Sequence, residues 1–260
     1  MIRIASVSVL LAALALPAAA QTFDGPKAYE ACLIIAKKSP EQGWEEAIAW
    51  QSLGGGEAAR HCAAVALIGL KKYGEAATRL ETLANESKRD DATRAEMLAQ
   101  AAQAWLLEGN TMRADAAQRA ALTLAPGHPE ILMDHAVLLA GLNHFSEVVE
   151  VLSSVLRRQP NRVEALVLRA SAFRYLDNLP GAEDDVAKAI SLDPEFADAL
   201  LERGMLRRLK GEDAGAREDW LKVIALQPEG VAADTARRNL EMLDVKDKDA
   251  EPTRLRDRRR

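Results

Sequence analysis

Pro126, Pro160, Pro194 and Pro228 stand 34 residues apart through three successive intervals, and no other feature restricts the fold as tightly. Proline cannot continue a helix, so it marks the same boundary in each of four units. Cut at those prolines, the chain aligns without a gap as 95–126, 129–160, 163–194 and 197–228. A fixed period of this length marks a linear array, in which each unit buries its apolar face against its neighbours.

Within each unit a large residue (Leu98, Leu132, Leu166, Leu200) is followed four places on by a small one (Ala102, Ala136, Ala170, Gly204). The twentieth place holds Ala114, Val148, Ala182 and Ala216. Small side chains at these places let two helices cross closely. On these residues the units resemble tetratricopeptide repeats. They depart from the family pattern before the small residue, where the usual Leu is Ala101, His135, Arg169 or Arg203. They depart again where the usual Tyr is Trp105, Leu139, Phe173 or Arg207. The resemblance implies an all-α fold, a right-handed α-solenoid of antiparallel helix pairs wound as a superhelix.

Two weaker units precede these four. Residues 57–88 fit with Ala64 and Ala76 at the small places, and residues 21–56 contain a shortened helix pair broken at Ser39-Pro40. Gly54-Gly55-Gly56 between them reads as a flexible joint. After Pro228, residues 229–243 set Ala232, Ala233, Ala236, Leu240 and Leu243 on one side and charges on the other, the pattern of a capping helix. The charged remainder, 244–260, offers almost no core residues and is expected to be a disordered, solvated tail ending in arginines.

The first twenty residues carry a single early cation, Arg3, an apolar run over 4–16 and Ala18-Ala19-Ala20 before Gln21. That is the pattern of a secretory signal peptide, since a membrane span needs about 20 apolar residues. The expected compartment is a bacterial periplasm, with no integral membrane span in the mature protein. Loss of Arg3 changes the formal charge from −5 to −6, mild acidity with no basic footprint for nucleic acid. An aromatic content of 4% also argues against stacking platforms for bases or sugars.

Cys32 and Cys62 lie on the first helices of consecutive units, which a solenoid stacks side by side. In an oxidising compartment a disulfide between them is expected. His61, His128, His135 and His144 share no metal-binding spacing with each other or with the cysteines, so no metal or cofactor is expected. No nucleophile elbow, phosphate loop, zinc-protease or dinucleotide motif is present, and Asp90-Asp91 and Asp184-Asp185 read as solvated acids. The chain is therefore read as no enzyme.

In a resembling array the first helices line a concave groove. The corresponding places here include Leu106, Met133, Val137, Ala140, Val167, Ser171, Arg174, Tyr175, Leu201, Met205 and Arg208. Met133, Val137, Val167, Tyr175, Leu201 and Met205 are expected to form an apolar strip that binds a protein or peptide client. Arg174 and Arg208 are expected at its edge, facing an acidic flank of that client. Family members that clamp acidic C-terminal peptides use basic and amide residues at places where this chain has Met, Val, Leu and Ser, so that activity is not carried over. The expected function is a non-catalytic periplasmic scaffold, with a constitutive subunit of a cell-envelope complex as the alternative.

Overall fold

The computed structural model describes residues 25–257, with side chains to residue 245; the signal-like segment lies outside the described residues. The described chain is helical throughout, an α-solenoid without a strand among those residues. Six helix pairs follow one another. They are α1 (Gly25–Lys38) with α2 (Pro40–Ser52), α3 (Gly56–Gly69) with α4 (Tyr73–Glu86), and α5 (Asp91–Leu107) with α6 (Thr111–Leu124). Then come α7 (Pro129–Gly141) with α8 (Phe145–Arg158), α9 (Val163–Tyr175) with α10 (Leu179–Leu192), and α11 (Ala197–Leu209) with α12 (Asp213–Leu226). A last helix, α13 (Val231–Asp257), closes the array.

The turns inside the last five pairs are built the same way. Lys71, Gly109, Asn143, Asp177 and Gly211 all adopt positive φ, between 59° and 82°. Each is followed by a backbone N–H that reaches back to the last turn: Lys72 to the Leu67 carbonyl, Asn110 to Trp105, His144 to Leu139, Asn178 to Phe173 and Glu212 to Arg207. This left-handed cap satisfies carbonyls that the helix end leaves open, and it is least costly for Gly and Asn. The periodic prolines act at the other boundary. The residues before them, Ala125, Gln159, Asp193 and Gln227, are all extended, with φ between −126° and −138°, because the proline ring excludes the helical conformation there.

Between the two helices of a pair, a small buried place on the first helix recurs with a larger buried residue on the second. The small places Ala102, Ala136, Ala170 and Gly204 are buried. Sixteen places on stand Gln118, Leu152, Val186 and Trp220, all buried. The largest partner faces the smallest residue. A Cβ built on Gly204 would lie 2.3 Å from Trp220 Nε1, so no other residue fits opposite that indole.

Two expectations change at the ends. The run Gly54-Gly55-Gly56 is a tight turn rather than a loose joint: Gly54 and Gly56 take positive φ, and a Cβ on Gly55 would meet Trp50 and Ala59 within 2.8 Å. The segment from Asp244, read as disordered, instead continues the backbone helix to Asp257. Extension of a helix already nucleated by a packed stretch adds one hydrogen bond per residue fixed, so charged residues can follow it. Among the described residues no helix is long and apolar enough to cross a membrane.

The inner wall follows from which helices touch. First helices of adjacent pairs pack directly on one another, α1 on α3, α5 on α7, α7 on α9, α9 on α11, and α11 on α13. Second helices pack instead against the first helices on either side. The side on which successive elements approach more closely is the inside of the bend, so the first helices form the concave wall.

Candidate interaction groove

Met133 and Val167 do not line the groove as expected. Both are buried, in one core cluster that joins α7, α8 and α9. Their place on the first helix faces the neighbouring first helix, and direct contact between those helices converts it from groove to core. Leu201 and Met205 are partly covered as well, packed against the cluster that α13 completes. The Asn239 amide of α13 lies 3.1 Å from the Met205 sulfur. Of the six apolar candidates only Val137 and Tyr175 stay widely exposed, at 51% and 60%.

The two arginines are also committed. Arg174 donates through Nε to Glu202 Oε1 on the next first helix, and the Ser171 hydroxyl donates to Glu202 Oε2 at 2.9 Å. Both charged side chains of that pair are largely enclosed. Arg208 binds Asp213 at 2.9 Å. The first pair ties adjacent units and the second lies within one unit; each occupies its guanidinium, so neither is presented to a client in the way the sequence suggested.

What remains open is a shorter groove over α5 to α9. Leu106 and Leu107 of α5 are exposed beside Val137 of α7. With Ala102, Gln103, Gln118, Asp134 and Leu138 they enclose a hollow of about 320 Å³. One unit on, Tyr175 stacks on Phe145 with ring centroids 4.3 Å apart and planes 4° from parallel. That stack borders a second hollow of about 250 Å³ with Ala140, Leu168 and Ser171. The chain thus presents two apolar recesses on consecutive first helices. Asp134 forms a wall of the first, and burial pushes its carboxyl above the ordinary carboxylate range against a hydrogen bond from Gln103.

Arg169 and Arg203, which replace the family's Leu, have partners that the sequence reading missed. Arg169 binds both oxygens of Asp185 at 2.7 Å, and Arg203 binds both oxygens of Asp219 at 3.0 and 2.6 Å. Asp185 and Asp219 are buried on α10 and α12, so the reading of Asp185 as a solvated acid was wrong. The signal was available: Arg at one place and Asp sixteen places later occur together in two units, and neither occurs in the units of 95–126 and 129–160.

At the amino-terminal end Cys32 and Cys62 form a disulfide, with Cα atoms 6.1 Å apart, which fastens α1 to α3. His61, next to Cys62, is enclosed between Tyr29 and Gln100: Tyr29 Oη lies 2.8 Å from Nδ1, and Gln100 Oε1 lies 2.9 Å from Nε2. Burial lowers its pKa, so the neutral ring bridges three first helices. It borders a cavity of about 610 Å³ that also touches Tyr29, Trp50, Arg89 and Met97. No group of three or more metal-ligating side chains occurs among the described residues.

No protein-family model matches the sequence, and no curated protein matches it. Solved structures do. A tetratricopeptide repeat protein from Parabacteroides merdae is 15% identical with a TM-score of 0.61, over 86% of this chain and 85% of that one. MamA from Desulfovibrio magneticus RS-1 is 24% identical with a TM-score of 0.55, over 64% of this chain and 91% of its own. YrrB, described as a TPR protein with an unusual peptide-binding site, is 18% identical with a TM-score of 0.52, over 69% and 91%. These likenesses are of fold, and the fold is that of tetratricopeptide-repeat proteins.

Proposed function

We propose that this chain is a non-catalytic scaffold that holds a protein or peptide client in its concave groove, and that it works in a bacterial periplasm. The observation that carries the binding role is the exposure of Leu106, Leu107, Val137 and Tyr175 on consecutive first helices. Large apolar side chains left in a row on a concave wall contribute about 1.5 to 3 kcal/mol each when covered, before the ordering cost of association. A peptide-binding site on a protein of the same fold, YrrB, supports the same reading.

Val137→Glu places a charge where half the side chain is already in solvent, so folding is little affected. We expect proteins captured from solubilised envelope by the wild type to be lost at least about tenfold, the loss that about 1.4 kcal/mol brings. Met112→Glu, on the second helix α6 and 83% exposed, should capture normally. Equal loss in both variants would remove the groove from the binding reaction.

Two features support export. The sequence opens with a signal-like segment, and Cys32 pairs with Cys62 in a bond that reducing cytosol does not favour. Intact mass of the soluble native protein should correspond to a chain starting at or near Gln21. A mass that retains Met1 would exclude the compartment proposed.

A further inference from the structure

We infer that the α5–α7 recess is a pocket for a lysine or arginine side chain, so that the client segment it takes is basic and apolar rather than acidic; this rests on the groove reading above. The recess has the right two-part chemistry. Its walls are mostly hydrocarbon, from Ala102, Leu106, Leu107, Val137 and Leu138, and the Gln103 and Gln118 amides and one carboxylate, Asp134, stand among them. Long cationic side chains bury an apolar stem and carry their charge at the tip, and they match a hollow of this make-up. A volume of about 320 Å³ holds one such side chain with room for its stem to move.

The state of Asp134 points the same way. Burial raises the cost of its charge, and the strongest opposing influence is a neutral amide, Gln103. Arg162, the guanidinium within its influence, is already bound to both oxygens of Glu130 at 2.8 and 2.7 Å. The groove's other arginines, Arg174 and Arg208, are paired with Glu202 and Asp213. Asp134 itself places a carboxylate in the recess, so a cation is drawn in and an acidic peptide is repelled.

The test uses three amidated, acetylated pentapeptides, Leu-Lys-Leu-Lys-Leu, its norleucine analogue and its glutamate analogue, titrated into the full-length mature protein labelled for NMR. The lysine peptide should shift the amides of Leu106, Asp134 and Val137 and bind about tenfold more tightly than the norleucine peptide, a typical effect of one charge-assisted contact. In Asp134→Asn, which keeps the shape of the side chain, that preference should fall below about twofold while norleucine affinity is unchanged. Binding of all three peptides at α5–α7 with equal affinity would overturn the cation pocket and leave the groove standing. Shifts confined to other surfaces, or none, would overturn both.

Discussion

Replacing Asp185 by leucine is expected to destabilise the array by about 3 kcal/mol, while the double substitution Arg169→Leu with Asp185→Leu recovers most of that loss. Asp185 is 6% exposed and holds both nitrogens of the Arg169 fork, with Ser153 as a further acceptor of the guanidinium at 3.0 Å. Removal of the carboxylate alone leaves a cation in a partly enclosed place between α9 and α10. Replacement of both charges by leucine, the family's usual residue at the place of Arg169, removes the desolvation cost together with the attraction. For a chain of this length about 3 kcal/mol corresponds to about 6 to 12 °C in melting temperature. The cost is placed at the low end for a broken buried pair because the Arg169 side chain is 20% exposed and can turn partly to water. If Asp185→Leu melts with the wild type, the guanidinium relaxes freely and the pair contributes nothing. If the double variant is as unstable as the single, leucine does not fill the space, and the charges are needed for packing as well as for each other.

That pair also shows what the sequence could and could not express. The repeat itself was legible because helix ends, small crossing places and closing prolines recur in register, and each is a local requirement. The side to which a first-helix residue turns was only partly legible. Met133 and Val137 are four places apart on one helix, and both were read as groove; one is buried against α8 and α9 and the other faces solvent. The difference depends on how closely α7 approaches α9, which is a property of the stack and not of one unit. Leu201 and Met205 were misplaced for a related reason: they pack against the cluster that α13 completes, whereas Leu106 stays exposed beside α7. Arg174 was read as free because its partner, Glu202, sits in the next unit, 28 residues away. A single acid on a helix, such as Asp134, carries no signal in the sequence until the apolar hollow around it is known.

Loss of the Cys32–Cys62 bond is expected to release the first helix pair while the rest of the array stays folded. The bond closes a loop of 30 residues, and constraint of the unfolded chain over that length stabilises by about 3 to 4 kcal/mol. In a linear array each unit contacts only its neighbours, so the effect is confined to the end that the bond fastens. The first pair has little else to replace it. Of the residues of α1 only Cys32 and Ala36 are buried, and on α2 only Gly43, Ala47 and Trp50. Cys32→Ser should therefore speed amide exchange in α1 and α2 and open the chain to protease near Gly54, with amides of α7 to α12 unchanged. The Tyr29 contact to His61 should loosen as well, because the bond sits beside it and holds the same two helices. Reduction of the wild type with a thiol should give the same pattern, which separates the bond from the loss of one sulfur. Uniform loss of protection across the array would mean that α1 and α2 fold as one cooperative unit with α5 to α12. Unchanged protection in α1 would mean that the contacts of Tyr29, Trp50 and Ala36 hold the pair on their own.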